Sequence, residues 1–364
     1  MDNSKLKVGV VTMCSGSNYG NKLQNYAVEQ VLANMGFEPY TVPNNLYIKP
    51  FKEKVKGAVK FVFNINKERN AVYRQKRFNA FNSEFLHYYN KILTEDDKNN
   101  INADFDFFVA GSDQIWNPSS SIGKTGIPFL TFADEKKRIS YAASFGVSEI
   151  DDIYKEQYKN RISGLKGISV REAAGRDIVE KLTNRQATVV VDPTLMIDGE
   201  KWRSIARKPE WFKDDKFILT YFLGKVDEER KNAVNSLADE KNYKVINLLD
   251  KNLRDIYAAD PCEFLYLIDN AELVCTDSFH ACVFSILLNT PFCVFNRLGK
   301  EKSMNSRFDT LLGLFNLKDR YYDELKNDKQ RIFSSDYNDV DEVLKEQRSI
   351  ALNFLKENTE DLSV

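Results

Sequence analysis

Leu273-Val274-Cys275-Thr276-Asp277-Ser278-Phe279-His280-Ala281-Cys282-Val283-Phe284-Ser285-Ile286-Leu287-Leu288 reads as a short buried strand, Leu273 to Thr276, that turns directly into an apolar helix from Phe279. One of only two histidines in the chain stands at that turn. In an open α/β sheet, ligands bind beyond the carboxyl ends of the strands, and the helix that follows aims free N–H groups at any anion held there. An imidazole at that point can move a proton, because its ordinary pKa of about 6.5 lies near the working range. The stretch therefore proposes an α/β sheet with an anionic ligand and proton transfer at its edge.

The same alternation extends outward from it. Lys216 to Leu223 reads as strand, Asp227 to Lys241 as helix, Tyr243 to Leu248 as strand, Cys262 to Ala271 as helix and Pro291 to Phe295 as strand, a Rossmann-like series. The first half repeats the design: strand Lys7 to Met13, helix Asn21 to Met35 stopped by Gly36, then strands Phe105 to Ala110, Arg138 to Ser144, Gly167 to Val170 and Thr188 to Val191. At 364 residues the chain exceeds what one core usually serves. The division expected is an N-terminal α/β domain over 1–197 and a C-terminal Rossmann-like domain over 198–364, with the last helix, about Val340 to Leu355, packing back across both. No G-x-G-x-x-G occurs in either half, which disfavours a dinucleotide cofactor.

Composition narrows the class. Fifty-two Lys and Arg against 53 Asp and Glu leave a net charge of -1, so no global field favours nucleic acid. The longest apolar tract, Ala281 to Phe295, is broken at Asn289-Thr290-Pro291 and is too short to span a bilayer. The N-terminus reads as a strand rather than a signal peptide, and a cytoplasmic location is expected. Cys14, Cys262, Cys275, Cys282 and Cys293 lack C-x-x-C spacing and read as buried thiols. Two histidines leave no multi-histidine metal site. One local field stands out: ten Lys and Arg face two acids between Lys49 and Ala80, with Phe51, Val55, Val59 and Val62 at helical spacing. Either this basic insertion rests on anionic headgroups at the inner membrane face, or it is a solvated helical face.

Polar clusters recur at strand ends. Ser15 to Gln24 offers small residues for close backbone approach, and Asn18, Asn21 and Gln24 as neutral hydrogen-bonding groups suited to hydroxyls; a plain helix cap is the alternative. In Gly111-Ser112-Asp113-Gln114-Ile115-Trp116-Asn117-Pro118, Asp113 either accepts a hydroxyl proton or caps a turn, and Trp116 either stacks on a sugar or fills a core. Arg171-Glu172 follows Gly167 to Val170, where an arginine can grip a carboxylate or phosphate through two parallel bonds or form a structural ion pair. Asp192, before Pro193, reads first as a turn former. Arg307, in Ser303 to Asp309, is a second arginine among small polar residues.

Asn18-Tyr19-Gly20-Asn21, Gly111 to Asn117, Tyr141-Ala142-Ala143-Ser144-Phe145-Gly146, Ser169-Val170-Arg171-Glu172, Val191-Asp192-Pro193-Thr194 and Thr276 to Ala281 together, in that order and spacing, resemble the polysaccharide pyruvyl transferase family from Val8 to about Leu317. The resemblance implies two Rossmann-like domains in a GT-B-like arrangement with an interdomain cleft, and phosphoenolpyruvate as co-substrate, with no cofactor and no metal. Pyruvate would pass to two hydroxyls of one sugar as a ketal. By the same resemblance His280 is the general acid or base and Asp113 a catalytic partner. Arg171, Arg307, Ser278 and Phe279 hold the donor, and Asn18, Tyr19, Asn21, Gln24 and Trp116 line the acceptor, a sugar on a lipid-linked glycan precursor. Many members carry Arg where this chain has Ser278, so Arg307 or Arg297 is expected to supply that cation. The rival readings are a GT-B glycosyltransferase using a nucleotide sugar and a non-catalytic glycan-binding relative.

Overall fold

The computed structural model describes residues 5–44, 65–298 and 305–362. Two parallel sheets carry the fold. The first has six strands in the order β2-β1-β3-β4-β5-β6: β1 (Lys7–Val11), β2 (Glu38–Thr41), β3 (Phe107–Ala110), β4 (Arg138–Ala143), β5 (Gly167–Val170) and β6 (Thr188–Val189). The second has four, in the order β10-β9-β7-β8: β7 (Phe217–Tyr221), β8 (Lys244–Asn247), β9 (Leu273–Thr276) and β10 (Phe292–Val294). Every pairing is parallel, which explains why β3, β5, β7 and β9 are buried along their whole length rather than alternately.

The strand orders place the functional loops. In the first sheet β1 lies between β2 and β3, and in the second β7 lies between β8 and β9, so the chain reverses direction across each sheet at those pairs. Such switch points open a crevice at the carboxyl ends of the strands. The crevice of the first sheet is bordered by the segment leading into α1 (Tyr19–Asn34) and by the residues after β3; that of the second by the residues after β7 and after β9.

The helices join the lobes as well as covering the sheets. After α2 (Ile65–Phe85) come α3 (Asp152–Ser163), α4 (Ala173–Thr183), α5 (Gly199–Ile205), α6 (Glu228–Lys241), α7 (Arg254–Tyr257), α8 (Pro261–Asp269), α9 (Phe279–Leu287) and α10 (Asn305–Leu314). One core cluster unites Tyr19, Leu23 and Tyr26 of α1 and Phe78 and Phe81 of α2 with Trp202, Phe264, Phe279 and Phe284. Tyr19 stacks on Phe264 at 4.3 Å between centroids. The final long helix, Val340–Thr359, returns to the first sheet, where Ala351, Phe354 and Leu355 pack beside Val8, Val10 and Val109. All five cysteines are buried free thiols.

The basic stretch is described only in part. Residues 49–64, including Phe51, Val55, Val59 and Val62, lie outside the described residues. On α2, Phe78 and Phe81 are enclosed in the shared core. Arg74 is buried, donating to the carbonyls of Tyr257 and Ser17, and lies over the rings of Tyr19, Phe78 and Tyr257. This half of the stretch straps the lobes together, while Val72 and Tyr73 on the same helix remain exposed. Among the described residues no helix is long and apolar enough to cross a membrane.

Candidate active site

The ends of β3, β4, β5, β6 and β9 each contribute a charged or polar group to a single buried cluster. Arg171 leaves β5 and donates through Nη1 to Asp192 Oδ2 at 2.7 Å. Its Nη2 reaches Ser144 Oγ at 3.1 Å and Asp113 Oδ1 at 3.4 Å, and the guanidinium lies 4.3 Å from the Phe279 ring centroid. Asp113 follows β3 and is shared with Arg307 of α10, whose Nη1 is 3.5 Å away. Glu172 accepts from the Ser144 hydroxyl and from the amides of Phe145 and Gly146, which fixes the turn after β4 against β5.

His280 reaches the cluster from the other lobe. Ser278 is the N-cap residue of α9 but its side chain makes no capping bond, leaving the first amides of the helix without an intrahelical partner. His280, in the first turn, puts Nε2 3.6 Å from Asp192 Oδ2, beyond hydrogen-bonding range. The opposite side of the ring rests on the backbone of Gly20, in the first turn of α1. A Cβ built there would stand 2.2 Å from Nδ1. The two switch-point helices therefore meet end to end, and a glycine is what lets the imidazole in.

Electrostatics follow from this packing. Burial acts to raise the Asp192 carboxyl pKa, but His280, Arg171 and Thr194 outweigh it and hold the group far below the usual carboxylate range. Asp113 is likewise held low, against burial, by His280, Arg171 and Arg307. Burial disfavours the charged Arg171, yet Asp192, Asp113 and Glu172 raise its pKa further. Arg307 is different: burial first and Arg171 second push it down to about 10, against the single pull of Asp113 and a weaker one from Glu172.

A cavity of about 20 Å³ borders Arg171, Glu172, Asp192, Phe279 and Arg307, with Leu195, Leu311 and Leu314 among its apolar walls. Of its lining residues, Arg171 Nε, Arg307 Nε and Glu172 Oε2 are enclosed without a hydrogen bond, the first and last facing each other at 3.6 Å, and His280 Nε2, next to Asp192, is likewise without one. Unsatisfied buried groups are rare, and several at one point call for a ligand. Among the described residues no group of His, Cys, Asp or Glu is arranged to hold a metal.

The remaining candidates fall differently. Asn18 caps α1, accepting from the Asn21 amide at 3.2 Å. Asn21 and Gln24 are buried, each with one amide atom unpartnered, and Gln24 accepts from Thr12. Tyr19 is committed to the lobe contact, donating to the Ala259 carbonyl at 2.9 Å. Trp116 does not stand as a sugar platform: it is 0% exposed, stacks on Phe129 at 5.3 Å and donates to the Pro128 carbonyl. Core filling won because Ile115 and Trp116 turn inward behind β3. Arg297 is engaged by the Asp277 carbonyl at 2.9 Å, and Asp277 itself accepts from the amides of Leu223 and Gly224. His87 is exposed and pairs with Glu29. Sequence reasoning left out two participants. Asp192 is a turn former, as its place before Pro193 implies, since Oδ1 accepts from the Thr194 amide; Oδ2 meanwhile faces Arg171. Gly20 lay inside a quoted motif, but nothing local marks its contact with a residue 260 positions away.

The sequence profile of the family described as polysaccharide pyruvyl transferase matches residues 18–298, a span holding all of these groups except Arg307. The chain belongs to that family. General stress protein 30 of Bacillus subtilis (strain 168) is 28% identical to this family member over 226 residues, covering 58% of the chain and 64% of the relative, so the match spans just under two thirds of the relative's length. Among solved structures, the UDP-GlcNAc 2-epimerase of Neisseria meningitidis bound to UDP-GlcNAc superposes with a TM-score of 0.51 at 12% identity, over 97% of this chain and all of the other. The UDP complex of MnaA from S. aureus gives 0.50 at 13% identity over 98% and 97%. At such identities the likeness is one of fold, and this pyruvyl transferase family member has the expected two-lobed α/β, GT-B arrangement.

Proposed function

We propose that the protein transfers pyruvate from phosphoenolpyruvate to two hydroxyls of one sugar, forming a cyclic ketal on a glycan precursor. The observation that carries the proposal is the gathering of His280, Arg171 and Arg307 about the Asp192 and Asp113 carboxylates, with both arginines and Asp192 on the wall of one small cavity and the imidazole Nε2 3.6 Å from Asp192 Oδ2. Together they match a small anion that must be protonated. The donor's carboxylate and phosphate take Arg171, Arg307 and the first amides of α9, from Phe279 onward beside Ser278. His280 gives its proton to the methylene carbon, an oxocarbenium-like centre forms at C2, and one sugar hydroxyl adds there, returning its proton to the imidazole. The C2–O bond to phosphate then breaks and the second hydroxyl closes the ring. One hydroxyl proton ends on the new methyl group and the other on inorganic phosphate.

Asp113 is a poor choice for the base in this scheme, because the cations that hold its pKa low also remove its affinity for a proton. Its role is to orient the two guanidinium groups, while His280 serves as acid and then as base. A 20 Å³ space holds about one water, so the donor enters only when the apolar wall of Leu195, Leu311 and Leu314 draws back. Neither a cofactor nor a metal takes part in these steps. Phosphate release from phosphoenolpyruvate, measured over a panel of lipid-linked and simple glycosides, tests the proposal. Acceptor-dependent release supports it; silence across the panel together with calorimetric binding of a nucleotide sugar would give the site to glycosyl transfer instead.

A further inference from the structure

A second cavity, of about 380 Å³, opens on the seam between the lobes, away from the charged cluster. Tyr73 and Arg77 of α2 form one wall; Glu210 and Trp211, Arg254 of α7 and Glu263 of α8 form the others. The walls are fixed in place. Arg77 pairs with Asp260 at 2.9 Å and Glu263 at 2.6 Å, Asn70 donates to the Lys251 carbonyl, and Arg207 pairs with Glu84 at 2.7 Å. The Arg254 guanidinium sits 5.2 Å from the centroid of the Tyr73 ring. Trp211 is half-buried, and its indole Nε1 is enclosed without an acceptor.

The chemistry of this lining selects among ligands. Its size falls in the range of roughly 300–1,000 Å³ that small-ligand pockets occupy. Trp211 and the face of Tyr73 not covered by Arg254 supply apolar surface for the C–H face of a pyranose, and the planar carboxylate and guanidinium groups suit pairs of adjacent hydroxyls. An anion is disfavoured, because Glu210, Asp255 and Glu263 outnumber Arg77 and Arg254, and Arg77 is already neutralised by its two carboxylates. We infer that the seam cavity is a binding site for an uncharged pyranoside, a glycan segment held outside the reacting centre. The inference goes beyond pyruvyl transfer and does not depend on which donor the buried cluster takes.

Tryptophan fluorescence of the full chain reads this site selectively, because Trp116 and Trp202 are fully enclosed and only Trp211 of the three is partly exposed. Lactose, cellobiose and N,N′-diacetylchitobiose serve as probes, with inorganic phosphate as the charged comparison. At least one disaccharide gives a saturable shift. Followed by saturation-transfer NMR, its binding weakens about tenfold in Trp211→Ala and in Glu210→Gln, is largely kept in Trp211→Phe, and is undiminished in His280→Ala. No saturable response to any of the three sugars, an equal response to phosphate, or binding untouched by the Trp211 and Glu210 changes overturns the site. Loss of sugar binding in His280→Ala does so too, by moving the sugar to the charged cluster.

Discussion

Gly20→Ala separates the chemistry of His280 from the stability of the fold. A Cβ at position 20 would lie 2.2 Å from Nδ1, 2.6 Å from Cγ and 2.9 Å from Cε1 of the imidazole, where ordinary contact begins near 3.4 Å. The ring must therefore retreat by about 1.2 Å, and that changes its relation to Asp192, now 3.6 Å away. A misplacement of about 1 Å at a reacting group costs on the order of 10²-fold in rate. Stability moves much less: alanine in a helix gains up to about 1 kcal/mol over glycine, against roughly 1–3 kcal/mol for overpacking.

The rate of acceptor-dependent phosphate release should thus fall about 100-fold while the unfolding midpoint shifts by only a few degrees. Proton NMR supplies a readout independent of turnover, since the chain has two histidines and only the signals of His280, not those of exposed His87, should move. In a His280→Ala background the added methyl meets the space the ring has left, so the second substitution should cost nothing further. A Gly20→Ala enzyme within twofold of the parent rate, or losses that multiply in the double variant, would refute the idea that this glycine exists to admit the imidazole.

Four further outcomes follow from the geometry. Asp192→Asn keeps the turn but leaves Arg171 without its 2.7 Å carboxylate, and should cost about 3–5 kcal/mol in denaturant unfolding as well as activity; an unchanged midpoint would contradict it. Trp116→Phe should lower stability by about 1–3 kcal/mol while leaving the acceptor KM unchanged, since the indole is core and touches no sugar. Arg307→Met should raise the donor KM tenfold or more with little loss of stability, whereas Arg171→Met should unfold the site; equal effects on both would be unexpected. Lys22 is buried on α1, its ammonium pushed down to about 8 by burial from 10.5, so below pH 8 the folded chain bears the full penalty of holding the charge, about 3 kcal/mol. Lys22→Met should be the more stable protein at pH 7, and its advantage should shrink as pH rises from 8 to 10.5.

The parts of the fold that could be read in sequence were those with local causes. The run Leu273 to Thr276 is apolar because β9 is covered on both faces, and its neighbours announce themselves the same way. β2 gave no such signal, because Pro39 sits inside it and a proline argues against a strand. The sheet tolerates it there: β2 is an edge, and the amides of Glu38 and Val42 are the ones donating to Leu6 and Val10, so the position between Glu38 and Tyr40 points its missing N–H outward. Strand ends bearing His280, Arg171 and Asp113 were visible as residues, but their meeting was not, since each lies on a different segment and only the sheet order brings them together. Trp116 shows the opposite limit, for an aromatic beside a polar cluster has the same pattern whether it faces a ligand or the core.

For the proposed transfer, the charges in the cluster bear on which arginine would receive the donor anion. Two guanidinium groups are packed with three carboxylates, Asp113, Asp192 and Glu172, so the site is not a vacant cationic hole. Buried cations without such partners would be costly, and the carboxylates hold them until a donor arrives. They do not hold them equally. Arg171 touches three carboxylates at 2.7–3.6 Å, and any donor oxygen must compete with all of them. Among the described residues Arg307 pairs with Asp113 alone, at 3.5 Å and shared, and burial first and the neighbouring Arg171 second lower its pKa. The under-neutralised cation is the one that gains most from a phosphate. In the proposed transfer, Arg307, on the helix that walls the cavity, would be the group that links donor binding to movement of that wall.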